Sequence, residues 1–237
     1  MLNKISSRHT AGILIFIFGV VCASTLTAAL TWANLEAAFY GFQRTGSDDR
    51  LSGLACPALM TPYETGTIRI SFANPTQQEL TPVIRIDLST PAVPDSSQEQ
   101  INIQAGQTGL VTRPVSAANI DLGFFIFAKA SSYSTSPLPT AEATCGTLIL
   151  NVSFLNGAQI FGLWLGVGLL LMPLGLWLWS TDAALADHRS ENAAKALALV
   201  ALVGLFAGIQ GQWLFGMLLL AVSVLLAAAI LRFVIPN

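Results

Sequence analysis

The residue types best suited to nucleophilic or metal chemistry are few in this 237-residue sequence: three cysteines, Cys22, Cys56 and Cys145, and two histidines, His9 and His188. Their spacing excludes most of what they could do. There is no Cys-x-x-Cys pair, no His-x-x-x-His pair and no carboxylate cluster at metal-ligand spacing. No phosphate-cradling glycine loop is present either. The sequence therefore predicts no catalytic residue, no cofactor-binding residue and no metal site, and a protein that is not an enzyme. One reaction remains open to the thiols. Oxidation of Cys56 and Cys145 to a disulfide requires an oxidising compartment. Such a bridge closes a loop of about 90 residues, worth about 4–5 kcal/mol in the chain-entropy treatment. Two buried free thiols are the competing reading. Cys22 lies in an apolar run and reads as a small side chain compatible with lipid.

The compartment follows from where the charges are. The chain is 53% hydrophobic and 10% charged, with mean hydropathy +0.63, whereas soluble domains carry about 25% charged residues. Residues 10–35, 143–181 and 196–231 contain no Asp, Glu, Lys or Arg. A hydrocarbon core demands about 20 consecutive apolar residues per helix. The expectation is an α+β membrane protein with four transmembrane helices. The first spans residues 11–33 and extends along the interface to 42, through the aromatic group Trp32, Phe39, Tyr40 and Phe42. A cleaved signal peptide competes, with Lys4 and Arg8 as its basic region, but such apolar regions usually run about 7–15 residues. A retained anchor fits the longer run better. The second helix covers 157–180, with Pro173 inside it and Trp177 and Trp179 at its far end. The block 193–235 is too long for one crossing, and "GIQGQW" divides it into a hairpin, 193–209 and 213–234; a re-entrant pair is the alternative.

Four crossings place Lys4, Arg8, Arg189, Lys195 and Arg232 on one side, which the positive-inside rule makes cytoplasmic. Residues 1–10, the loop 181–192 and the C-terminus then face the cytoplasm of a cell membrane, and residues 43–155 lie outside. Both histidines fall in the cytoplasmic segments. Net charge is −2, which gives no reason to expect nucleic acid as a partner.

The outer segment has strand grammar. "GTIRISF", "VIRIDL" and "CGTLILNVSF" alternate apolar and polar residues, carrying the last strand to Phe154, and Pro-, Gly- and Asn-rich turns separate them. Short strands with frequent turns predict an antiparallel β-sandwich inserted between the first two helices. The order "ISFANPT…VIRIDLS…INIQAGQTGLVTRPVSAANIDLGFFIFAKA" resembles the immunoglobulin-like modules of bacterial membrane-anchored surface proteins. That resemblance implies a module that binds, spaces or anchors.

One strand departs from the pattern. In "GFFIFAKASS" the residues Phe124 to Phe127 are apolar without a break, so both strand faces need cover. Either a loop such as "SSYSTSPLPT" supplies it, or Phe125 and Phe127 face outward and dock on a partner or on lipid. In the helices, Gly162/Gly166 and Gly204/Gly208 form Gly-x-x-x-Gly pairs that allow close helix approach. The partners implied are membrane lipid and other integral membrane subunits, and no small-molecule substrate is indicated. The functional expectation is a non-catalytic accessory or scaffold subunit of a larger membrane complex. A surface adhesion or ligand-binding module and a small channel or transporter-like protein are the alternatives, although no ionisable residue lies inside a span to line a pathway.

Overall fold

The computed structural model describes residues 7–39, 49–50, 53–133, 140–181 and 188–234. Among these described residues there are four helices, α1 (Ser7–Phe39), α2 (Gly157–Ser180), α3 (His188–Ile209) and α4 (Trp213–Val234). The chain divides into two compact units: Met1–Thr31 with Phe161–Asn237, and Trp32–Ile160.

The first unit is helical. All four helices are long and apolar enough to cross a membrane, with mean hydropathy of 1.9–2.5 over their best windows. The expected arms 193–209 and 213–234 recur as α3 and α4, except that α3 begins five residues earlier and is 22 residues long. His9, expected outside the spans, lies in the first turn of α1. The antiparallel packing of α1 on α2 comes from glycine. A Cβ on Gly12 would stand 2.6 Å from Trp179 N, one on Gly19 2.6 Å from Met172 N, and one on Gly175 would strike the Phe16 backbone. Gly12 and Gly19, and likewise Gly168 and Gly175, are seven residues apart, which returns to the same helix face after two turns. The unit's core is Phe16, Val20, Ala23, Met172, Trp179 and Leu197 with their neighbours.

The second unit is a pair of sheets. Its strands are β1 (Asp49–Arg50), β2 (Leu54–Ala55), β3 (Leu59–Met60), β4 (Gly66–Ala73), β5 (Val83–Leu88), β6 (Asp95–Gln100), β7 (Thr108–Val115), β8 (Phe125–Tyr133) and β9 (Ala141–Ile149). The larger sheet runs β1-β9-β8-β5-β6 with β3 also on β9, and the smaller runs β2-β4-β7. The alternating residues meet in one core: Ile68, Ile70 and Phe72 of β4 with Val111 of β7, against Ile84, Ile86 and Leu88 of β5 and Ile126 of β8. Cys56 and Cys145 are joined as a disulfide beside this core, with Cα atoms 6.0 Å apart. Pro114 falls on β7, an edge strand, where its missing N–H leaves no ladder bond broken.

Three expectations need correction. The strands are not all antiparallel, because β1 and β3 both pair parallel with β9. The turn stretch "TPAVPDSS" gives way at Asp95 to the edge strand β6, which runs to Gln100; having no apolar face, "DSSQEQ" carries no alternation to reveal it. Finally, the last strand stops at Ile149, so Val152 lies outside it and Phe154 is 82% exposed rather than on a buried face.

Candidate functional site

The site develops on the face of the larger sheet that points away from the inter-sheet core. Along β8, successive side chains alternate sides. Ile126, Ala128 and Ala130 enter the core between the sheets, and the odd-numbered residues from Phe125 to Tyr133 take the opposite face. Phe125 and Phe127 are buried there, at 1% and 0% exposure, in a separate cluster with Ala33 and Ala37 of α1. The second apolar face is thus covered by the last turns of the first helix. Phe125 and Phe127 do not await a partner, and the part of the predicted loop cover at residues 134–139 lies outside the described residues.

The local sequence explains why a helix can lie so close. Ala33 and Ala37 are one turn apart and share a face, so no bulky side chain intervenes. Gly146 of β9, opposite Phe127 in register, leaves room for the helix backbone: a Cβ there would strike the Ala33 carbonyl oxygen. The Gly146 N–H donates to Asn34 Oδ1 at 3.3 Å. An aromatic chain extends the contact. The Trp32 ring lies 5.3 Å from Phe125 and 5.8 Å from Phe124, with Phe125 5.4 Å from Phe127. Trp32 Nε1 donates to Glu36 Oε1 at 2.9 Å. Of the aromatic group expected at the helix exit, Trp32 is here and Phe39 is exposed at the last described turn; Tyr40 and Phe42 lie outside the described residues.

Beyond Phe127 the same face turns ionic. Lys129 Nζ is 3.0 Å from Glu142 Oε2, with side chains only 6% and 15% exposed. Asp87 is the register neighbour of Lys129 on β5. It accepts hydrogen bonds from Arg85 Nε at 2.9 Å and from Ser96 Oγ at 2.5 Å. That hydrogen bond, and then the charge of Asp87, holds the Arg85 guanidinium above its ordinary pKa. The row Glu142, Lys129, Asp87, Arg85 therefore alternates in sign across three strands, the arrangement in which cross-strand charges attract.

At the start of β8 a tight turn presents apolar side chains. Phe125 N–H donates to Asp121 O at 3.0 Å, with Leu122 at φ 50° and Gly123 at φ 81°. A left-handed conformation is uncommon for a residue like leucine; here it leaves Leu122 and Phe124 52% and 40% exposed, with the half-exposed Trp32 beside Phe124. The start of α2 is fastened twice. Glu64 Oε1 accepts from Gly157 N–H at 2.7 Å and from Thr61 N–H at 2.6 Å, placing a carboxylate at a helix N-terminus. Asn156 and Gln159 exchange side-chain-to-backbone bonds at 2.8 and 3.0 Å as a capping box. Among the described residues, no three His, Cys, Asp or Glu side chains converge to a metal-binding group.

The glycine pairs divide. Gly204 and Gly208 are used within the chain: a Cβ on Gly204 would meet Leu219 Cβ at 3.3 Å and one on Gly208 would meet Leu30 Cβ at 3.4 Å. They are not a partner surface. Gly162 and Gly166 have open space at their Cβ positions. The features with no forecast in the sequence are the Ala33–Gly146 seam, the Lys129–Glu142 pair and the Glu64 cap. Only the seven-residue glycine spacing in the helices was there to be found.

No protein-family model matches the sequence, and no curated protein matches it. Solved structures give partial likenesses. A Paenibacillus sp. cycloisomaltooligosaccharide glucanotransferase aligns over 45% of this chain and 14% of its own, at 14% identity and TM-score 0.36. A Bacteroides uniformis beta-glucuronidase aligns over 40% and 12%, at 12% identity and TM-score 0.33. A Listeria innocua beta-glucosidase aligns over 42% and 16%, at 13% identity and TM-score 0.31. The chain thus matches about one-seventh of the length of these proteins.

Proposed function

We propose that this chain is a non-catalytic integral membrane accessory or scaffold subunit of a larger membrane complex. The observation that carries the reading is the second glycine face of α2. Gly168 and Gly175 face α1, whereas Gly162 and Gly166 lie roughly opposite them at 100° per residue and meet nothing. A helix that exposes bare backbone on one side leaves a groove that another helix fills more closely than lipid does, because association within a bilayer rests on packing and small residues permit it. The occupant is a helix of another membrane subunit.

The remaining parts fit this reading. The two-sheet unit serves as an immunoglobulin-like sandwich on the extracytoplasmic side, which suits a Cys56–Cys145 disulfide. The termini are cytoplasmic, in keeping with Arg8, Arg189, Lys195 and Arg232 at one end of the helices. Titratable side chains on the sheet face engage one another in ion pairs, which suits a structural role. The test is purification of the full chain in mild detergent, comparing wild type with Gly166→Leu. A membrane protein retained by the wild type and lost from the variant supports the reading. Equal recovery of every co-purifying protein, or none with either, rejects it.

A further inference from the structure

The helical unit contains a cavity of about 90 Å³ whose lining is wholly apolar. Its walls come from all four helices: Ile13, Phe16 and Val20 of α1, Trp179 of α2, Leu197 of α3 and Ala227 of α4. It is not sealed, for Val21, which also lines it, is half exposed on the outer side of α1. A dry apolar cavity of this order accepts hydrocarbon rather than water, since water needs polar partners that these walls lack.

One polar side chain packs on its Trp179 wall. His9 lies on the same face of α1 as Ile13, Phe16 and Val20, at intervals of four, three and four residues. Its ring stands edge-on to Trp179 with centroids 6.3 Å apart. His9 Nε2 is buried and has no hydrogen-bond partner, a condition that buried polar atoms rarely keep because the unmade bond is costly. Arg8, the preceding residue, is exposed. Hydrocarbon walls, an unmet imidazole nitrogen and an adjacent cation follow one another along the helix, in the order of the parts of a lipid.

We propose that this groove binds an acyl chain of an anionic phospholipid, with the lipid phosphate accepting a hydrogen bond from His9 Nε2 beside the Arg8 guanidinium. The phosphate completes the hydrogen bonding of the imidazole, and its negative charge sets the preference over zwitterionic lipid. The site is separate from the Gly162/Gly166 face, which is not among the groove's lining residues, and it stands whether or not that face takes a partner helix.

The experiment uses the full chain in nanodiscs containing equal phosphatidylglycerol and phosphatidylcholine, with the lipids that survive detergent extraction counted by native mass spectrometry. Wild type should retain one phosphatidylglycerol in preference to phosphatidylcholine by about tenfold, the factor equivalent to about 1.4 kcal/mol. His9→Leu keeps the groove and removes the polar partner, so one lipid should remain with the preference lost. Ala227→Phe fills the groove and should abolish retention of either lipid. Equal retention of both lipids by the wild type overturns the proposal without recourse to any variant, as does an unchanged preference in His9→Leu. Retention of free fatty acid in place of phospholipid, when oleate is added, overturns the assignment to a phosphate headgroup.

Discussion

Gly146→Ala tests whether the end of α1 is part of the two-sheet unit's structure or merely passes it. The added Cβ would fall deep inside the Ala33 carbonyl oxygen, whereas a carbon and a carbonyl oxygen ordinarily approach to about 3.3–3.6 Å. The obstacle is helix backbone, not a side-chain tip that can swing away, so the helix must lift by something on the order of 1 Å. Lifting breaks the Gly146 N–H bond to Asn34 and opens the packing of Ala33 and Ala37 on Phe125 and Phe127. Overpacking of this kind costs about 1–3 kcal/mol and a lost backbone bond about 1 kcal/mol. Restricting the unfolded chain by replacing glycine offsets about 0.4–1 kcal/mol, which leaves about 2 kcal/mol net. The readout is amide hydrogen exchange by mass spectrometry in the full chain. Peptides covering 32–39 should exchange roughly 30-fold faster in the variant, the factor that about 2 kcal/mol represents. Gly106→Ala is the control, a glycine at φ 71° with open space around it, and it should leave those peptides unchanged. Equal exchange of 32–39 in Gly146→Ala and wild type would refute the seam.

Three other outcomes are expected. Cys56→Ala with Cys145→Ala removes a bridge spanning 89 residues and should lower the unfolding free energy of the two-sheet unit by about 4–5 kcal/mol, read from denaturant titration; iodoacetamide should label neither cysteine of the wild type without reductant. Lys129→Met takes the ammonium away from the largely buried Glu142 carboxylate and should destabilise by about 3–5 kcal/mol, while Lys129→Met with Glu142→Leu should recover most of that loss; a double variant as unstable as the single one would contradict the pairing. Asn74→Ala removes a buried amide that donates to the carbonyls of Gln78, Ile103 and Gln104 and accepts from Thr76, and a thermal melt should show a loss of about 2–3 kcal/mol.

What the sequence disclosed and what it hid divide along a physical line. Charge-free runs disclosed the four long apolar helices, because hydrocarbon excludes charge from a helix able to cross it and the signal accumulates over about 20 positions. The hairpin break at 210–212 was legible for a related reason: "GIQGQ" is the one polar, glycine-bearing interruption, and α3 ends at Ile209 with Gly211 at φ 71°. Period-two alternation disclosed β4 and β5, whose faces differ in solvent. It could not disclose β6, which is polar on both faces, nor the parallel pairing of β1 and β3, which are two residues each. The site was half legible. Unbroken apolarity at Phe124–Phe127 announced that a second cover existed, yet its source was a helix about 90 residues earlier, and nothing local encodes so distant a contact. Small residues were read at four-residue spacing, which selected Gly162/Gly166 and Gly204/Gly208. The contacts between α1 and α2 follow seven-residue spacing instead, because two nearly antiparallel helices meet again every second turn.

The length of α1 ties these points together. Its 33 residues extend about 50 Å at 1.5 Å each, against a hydrocarbon layer of about 30 Å. Tilting could absorb part of the excess, but the excess residues have other occupations. Arg8 and His9 occupy its first turn, and Trp32 to Phe39 belong to the two-sheet unit. Within Trp32 to Phe39 the residues are chosen for a sheet, not for lipid: Ala33 and Ala37 reach the phenylalanines, Asn34 holds Gly146, and Glu36 satisfies the Trp32 indole. The sheet face is divided to match. Phe125 and Phe127 lie where the helix covers them, and two residues further along β8, about 7 Å away, the face changes to the Lys129–Glu142 pair. A helix that only anchored the two-sheet unit would need no such match, and a sheet that only faced solvent would need no phenylalanine there. The two were fitted to one another, so a change at Gly146 or Ala33 should register in both.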